Sequence, residues 1–276
     1  MSTVPFRESA WDGIRRHARL WRRCLALAIV REMQFRANFS SIILVGLAQI
    51  VLGLVPILIL FEHATEVDGW KRADMIVLLG IFQIMQGLVG FAVTRNMWEL
   101  PQGVQHGTLD LMLIRPVNAQ FYSSTRWVRP EMVFTLLGGL AVAIVGLVQG
   151  RGMPSAGQLV QVLILLACGL VLIGCISMAI AYLAFWMTNT GALIQFFSNE
   201  VLGAGRYPVS FFPFVFRVIL TLLVPMAFAV TFPAQAITRG ISWWIVLEAV
   251  GFAAVAVWLL RQFWNVAVRR YSSASS

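Results

Sequence analysis

The sequence predicts an all-α membrane protein of six transmembrane helices. Three observations predict it: a composition 59% hydrophobic and 12% charged, six apolar runs of spanning length, and arginines sorted onto alternate loops. A mean hydropathy of +0.80 over 276 residues with ten Trp exceeds what a soluble domain carries, even with a large core. A spanning helix needs roughly 20 mostly apolar residues. Runs at about 40–61, 75–93, 132–149, 159–187, 214–232 and 243–260 qualify, dividing the chain into a region 1–38 and a six-helix unit 39–276.

The formal charge is +9, from 21 Lys and Arg against 12 Asp and Glu. Seventeen of those cations fall in residues 1–39, 94–131, 188–217 or 261–276; four fall in the alternate loops. The positive-inside rule then places both termini in the cytoplasm, with Glu62, Glu66, Asp68 and Asp74 marking the first outer loop. A nucleic-acid partner would not sort arginines by alternate loops, so none is expected.

The N-terminal region reads as an amphipathic helix. Trp11, Ile14, Ala18, Trp21, Leu25 and Ala28 recur every three or four residues, while Arg15, Arg16, Arg19, Arg22 and Arg23 take the other faces. Trp on one side and Arg on the other suits a headgroup boundary, so membrane lipids are its expected partner. The first apolar run starts near Ser40, deeper than a cleavable leader would place it, and the N-terminus is expected to stay in the mature protein.

In the fifth run, Pro225 in the middle and Pro233 near the outer end each remove a backbone donor. They predict a short or bent helix, followed by a non-spanning piece through Arg239 that dips back into the outer leaflet. Glu248 is the only acidic residue placed inside a run. Its chemistry suits a proton carrier, a cation contact or a hydrogen bond that holds the helix to a neighbour. Gln83 and Gln86 fit either a path or interhelical hydrogen bonds, worth about 0.6 kcal/mol on average.

Much chemistry is excluded. A nucleotide-binding P-loop needs Lys before Ser or Thr, and the one lysine, Lys71, sits in GWKRAD. The chain is therefore not expected to be an enzyme, and any ATP must be bound by another subunit. His17, His63 and His106 all lie outside the runs, which removes an intramembrane zinc protease, and no metal site is expected. Cys24, Cys168 and Cys175 are too few, and odd in number, for a disulfide framework.

The stretch 99–118, ELPQGVQHGTLDLMLIRPVN, remains unexplained by spanning. It is cytoplasmic by charge. Thr108 is placed to cap a short helix whose first turn holds Asp110, and Leu109, Leu111, Met112, Leu113 and Ile114 offer an apolar face suited to a partner's groove. Arg115 would stand at the end of that helix and Pro116 would terminate it.

GVQHGTLDLMLIRPVN resembles the G-x-L-D and L-x-R-P-x-N pattern of the ABC-2 type permeases, in the uncharacterised or multidrug-like export branch. FRANFSS at 35–41, LAFW at 183–186, RYP at 206–208 and TLLVPMAFAVTFPA at 221–234 agree with it. The resemblance implies the permease subunit of an exporter in a bacterial inner membrane, with ATP and Mg held by two copies of an ATPase subunit. It also implies a second permease chain, commonly a non-identical paralogue, with an identical chain as the alternative. His106, Gly107, Leu109, Asp110, Arg115 and Pro116 would form the coupling helix seated on the ATPase. Glu200, Arg206 and Tyr207 in the fourth loop would form a second contact. Two other classes compete: a proton-coupled secondary transporter working through Glu248, and a membrane scaffold whose basic helix recruits lipids or proteins.

Overall fold

The computed structural model describes residues 19, 21–30, 36–114, 118–150 and 152–271. Residues 21–30 form helix α1. Then come α2 (Arg36–His63), the short antiparallel strands β1 (Glu66–Val67) and β2 (Trp70–Lys71), and α3 (Arg72–Val89). A π-helical turn, Gly90–Thr94, carries α3 without a break into α4 (Arg95–Gln105). There follow α5 (Asp110–Leu113), α6 (Ala119–Thr125), α7 (Val133–Gln149), α8 (Ala156–Tyr182), α9 (Gly191–Phe196), α10 (Phe214–Val218), α11 (Phe232–Thr238) and α12 (Trp243–Arg270).

Among the described residues, five helical stretches are long and apolar enough to cross a membrane: Leu44–His63, Arg72–Gln105, Pro130–Gln149, Ala156–Phe185 and Trp243–Arg270. A sixth exists if Phe214–Leu222 and Ala227–Thr238 are one span, bent by 75° at the segment holding Pro225. The bend agrees with the sequence, and the piece through Arg239 that was expected to dip back is helical as far as Thr238. Pro233 follows directly on a π-helical turn, Ala227–Thr231, whose altered ladder accommodates the missing N–H, and α11 buries Pro233, Ala234, Ala236 and Ile237.

The tightest packing joins α3 to α7. Gly80 and Gly87 on one helix, and Gly139 and Gly146 on the other, bring the backbones so close that a Cβ on any of them would meet main-chain atoms of the partner at 2.4–2.7 Å. Small residues of this kind are how membrane helices gain van der Waals contact without hydrophobic drive. Helix α12 buries the stripe Val246, Ala249, Ala253, Trp264 and Ala267 against the bundle, flanked by the partly buried Ile245, Ala256, Leu260, Phe263 and Val268.

One end of the bundle carries the β-hairpin. Asp68 (φ 49°) and Gly69 (φ 76°) make the two-residue turn that left-handed backbone permits. The Arg239 guanidinium bonds the Gly69 carbonyl, pairs with Asp74 at 3.1 Å and lies over Trp70. The end of α11 is thereby locked to the hairpin. At the opposite, loop end, Gln105 donates to the Thr188 carbonyl and Gln120 to that of Leu260 (3.3 Å).

Candidate functional site

The second span runs 34 residues, Arg72–Gln105, about 50 Å at the α-helical rise. A bilayer core needs roughly 20 residues, so its last turns project from the loop end. The sequence reading ended this helix near residue 93, because 94–105 is half polar. The structure extends it because Asn96, Met97, Leu100, Pro101 and Gly103 share a buried side, while Arg95 and Glu99 pair one turn apart at 3.2 Å.

Asn96, fully buried, ties the projecting end down. Its amide donates to the carbonyls of Ala92 (2.9 Å) and Trp127 (2.8 Å), and its oxygen accepts from the Trp127 N–H (2.8 Å). The Trp127 ring lies against the guanidinium groups of both Arg95 (4.9 Å) and Arg126 (4.5 Å). Asn96→Ala strands the Trp127 N–H and carbonyl, each costing about 1–3 kcal/mol when buried. The expected loss is on the order of 3 kcal/mol, read as lowered thermal stability of the detergent-solubilised protein.

Gly107 (φ 71°) ends α4. Its N–H reaches the Val104 carbonyl and that of Leu109 reaches Gly103, folding the chain back before α5. The His106 ring is held over the last turn, its Nδ1 lying 2.8 Å from the Gln102 carbonyl oxygen. Two expectations are corrected. Thr108 does not cap α5; its hydroxyl points back to the Gly103 carbonyl at 3.5 Å, and the cap position falls on Leu109. Leu109 is 0% exposed within this chain and cannot contact a partner, whereas Leu111 (60%) and Ile114 (79%) stand free of the core. Its burial follows from the tight Gly107 turn, which aims residue 109 inward. Asp110 stands beside Tyr271 at the end of α12. Burial first, and the Asp110 carboxylate second, push the Tyr271 pKa up; the phenol oxygen is enclosed with no partner in ordinary hydrogen-bond geometry among the described residues. Arg115 and Pro116 lie outside the described residues.

Leu111 borders a polar recess of about 380 Å³, lined also by Glu99, Gln102, His106, Thr108 and Arg126. Helix α1 lies near it. Burial raises the pKa of the Cys24 thiol, with nearby Arg126 opposing. Trp21 and Leu25 are half-buried and Ala28 is buried, while Arg19, Arg22 and Arg23 are exposed. The predicted stripe therefore faces the protein as far as it is described; Trp11, Arg15 and Arg16 lie outside the described residues.

The fourth-loop residues do not join this surface. From Thr188 at the loop end the chain climbs through α9, a π-turn (Phe197–Val201) and a 3₁₀ run (Leu202–Arg206). The Arg206 guanidinium comes to lie 5.7 Å from the Phe82 ring. Phe82 follows Asp74 by eight residues and precedes Arg95 by thirteen, about 12 and about 20 Å from these charged boundaries of the span. Val209 donates its N–H to Thr231 at 3.3 Å, at similar depth. Arg206 thus packs against the middle of the second span rather than at the loop end. The hydropathy of its segment hid this, since no run in it reaches spanning length.

Gln83 is 2% exposed, and its side-chain oxygen is enclosed without a partner among the described residues. Gln86 is half-buried one turn from Phe82. Glu248 lies on the exposed face of α12, outside this chain's core, with no ion pair or hydrogen bond among the described residues. It is not on a path enclosed by this chain.

The family model described as "ABC-2 family transporter protein" matches residues 47–275. No curated protein and no solved structure matches the chain.

Proposed function

The chain belongs to the ABC-2 family of ABC-transporter membrane permeases, and on that premise we propose that it is the membrane subunit of an ATP-driven exporter that couples to a separate ATPase. The loop end of the bundle is cytoplasmic in this reading, and both termini lie on that side. The observation that carries it is the projecting end of Arg72–Gln105, which leads to the exposed apolar pair Leu111 and Ile114, with Leu111 at the edge of a polar recess. One continuous helix runs from there through the bundle to the hairpin. A push on that surface moves α4, and through α3 the glycine-packed α7, as one body.

The partners proposed are two copies of an ATPase subunit, which hold ATP and Mg, and a second permease chain, with the path between the two permeases. The bilayer proposed is a bacterial inner membrane. A proton-driven mechanism through Glu248 gains no support from its position.

Affinity-tagged protein is expected to bring down a separate ATPase chain, and the permease-to-ATPase ratio reads the stoichiometry. Sidedness follows from single cysteines in a background lacking Cys24, Cys168 and Cys175. Glu66→Cys is expected to label from outside intact cells and Gln102→Cys only after lysis. The reverse pattern, or a chain that pumps without ATPase, would end this reading.

A further inference from the structure

Helix α8 forms the floor of a cavity of about 450 Å³ whose lining is entirely apolar, including Ile176, Ile180, Phe197, Val201, Val224 and Phe263. A second apolar cavity of about 360 Å³ shares Ile176, Ala179 and Phe263 and continues along α12 to Ala256 and Leu259. Both sizes fall within the roughly 300–1,000 Å³ of small-molecule sites. At the loop end, Trp186 stacks on Phe263 at 5.5 Å.

The other end leads to a cation. Val201 lines the cavity, and the same helical run ends five residues later at Arg206. Val224 lines it too, and Met226, two residues on, packs so closely on Gly205 that a Cβ there would be 2.4 Å from its Cε. Leu202 and Met226, each one or two residues beyond the cavity wall, line a small separate recess with Phe82, the ring under Arg206, and with Gln86. Among the described residues no carboxylate pairs with Arg206; Glu200 is exposed and makes no ion pair with it. A guanidinium at membrane depth is costly and marks a functional position by default. Gln86 adds a neutral donor on the facing wall.

We propose that Arg206 and the adjoining apolar groove form a binding site for an amphipathic anion, the acidic head on the guanidinium and the hydrocarbon tail along α8 between α12 and Phe196–Val201. Charge complementarity selects the head, and area burial holds the tail. Its role as the transported substrate rests on the transport reading above; binding does not.

The test uses the purified complex in nanodiscs of zwitterionic lipid, with spin-labelled stearic acid, its methyl ester and a spin-labelled long-chain trimethylammonium as probes. The wild type is expected to immobilise the acid at least about tenfold more than the ester or the cation, the scale of one charge-assisted hydrogen bond. Arg206→Gln is expected to bring the acid-to-ester ratio near one, and Arg206→Lys to retain most of it. Ile180→Trp, which fills the groove, is expected to weaken acid and ester together. Millimolar acetate or inorganic phosphate is expected not to displace the acid; displacement would point to a small-anion site and overturn the tail assignment. Equal binding of acid, ester and cation by the wild type overturns the site, even if Arg206→Gln does not assemble. Acid selectivity in a chain that never copurifies with an ATPase would overturn the transport reading and leave this site standing. Copurification without selectivity would do the opposite.

Discussion

Gly139→Val is expected to abolish the folded protein. A Cβ at this position would lie 2.6 Å from the Ile84 nitrogen and 2.8 Å from the Gly80 carbonyl oxygen. Both are main-chain atoms inside a helix and cannot rotate away, so α3 and α7 must separate along their contact. Overpacking that only displaces side chains costs about 1–3 kcal/mol; backbone collision exceeds that range, against a total stability of roughly 5–15 kcal/mol. The reciprocal Gly80→Val, 2.4 Å from the Ala143 nitrogen, is expected to behave alike. Gly251→Ala is the control. It sits within α12 with nothing inside 4 Å of the added carbon, and helix propensity favours Ala by about 1 kcal/mol. Size-exclusion profile and thermal unfolding in detergent read both outcomes. A monodisperse Gly139→Val protein with an unchanged midpoint would show that α3 and α7 do not meet as described.

Replacing both Leu111 and Ile114 with Glu is expected to uncouple the chain from its ATPase while leaving membrane insertion intact. Neither side chain supports the core, so the fold has little to lose. Truncation of a central interface anchor commonly costs about 2 kcal/mol or more. Two charges in place of two apolar anchors should therefore weaken association by about 100-fold or more. The readout is copurified ATPase per permease, together with ATP hydrolysis in proteoliposomes. Leu109→Ala separates the two roles of this stretch: its side chain is buried, so it is expected to lower stability rather than act as a surface contact. Unchanged hydrolysis in the double Glu variant would remove the docking role from this surface.

The spans were legible because spanning a bilayer demands length and apolarity within a contiguous segment, and both survive in one dimension. Five runs predicted near 40–61, 75–93, 132–149, 159–187 and 243–260 correspond to helices in the structure, and the fifth run's bend follows from Pro225. The ends were less legible. Residues 94–105 look like a loop because their apolar positions fill only one side, yet Asn96 and Leu100 find partners there that hydropathy does not register. In the stretch after Gly103, the turn at Gly107 was found only in the structure. Which of the leucines after it faces inward depends on how the turn aims the chain, and that separated Leu109 from Leu111.

By itself the sequence determined an all-helical membrane chain with charges sorted by loop and a polar stretch after the second span, since these depend on composition and local spacing. The tertiary structure alone decided that α3 and α7 touch through four glycines, that Glu248 faces away from the bundle, and that Arg206 enters it. Each of those depends on which distant segments lie side by side. A residue's own neighbours in sequence do not reveal whether a charge meets water, lipid or a phenylalanine ring contributed from more than a hundred positions away.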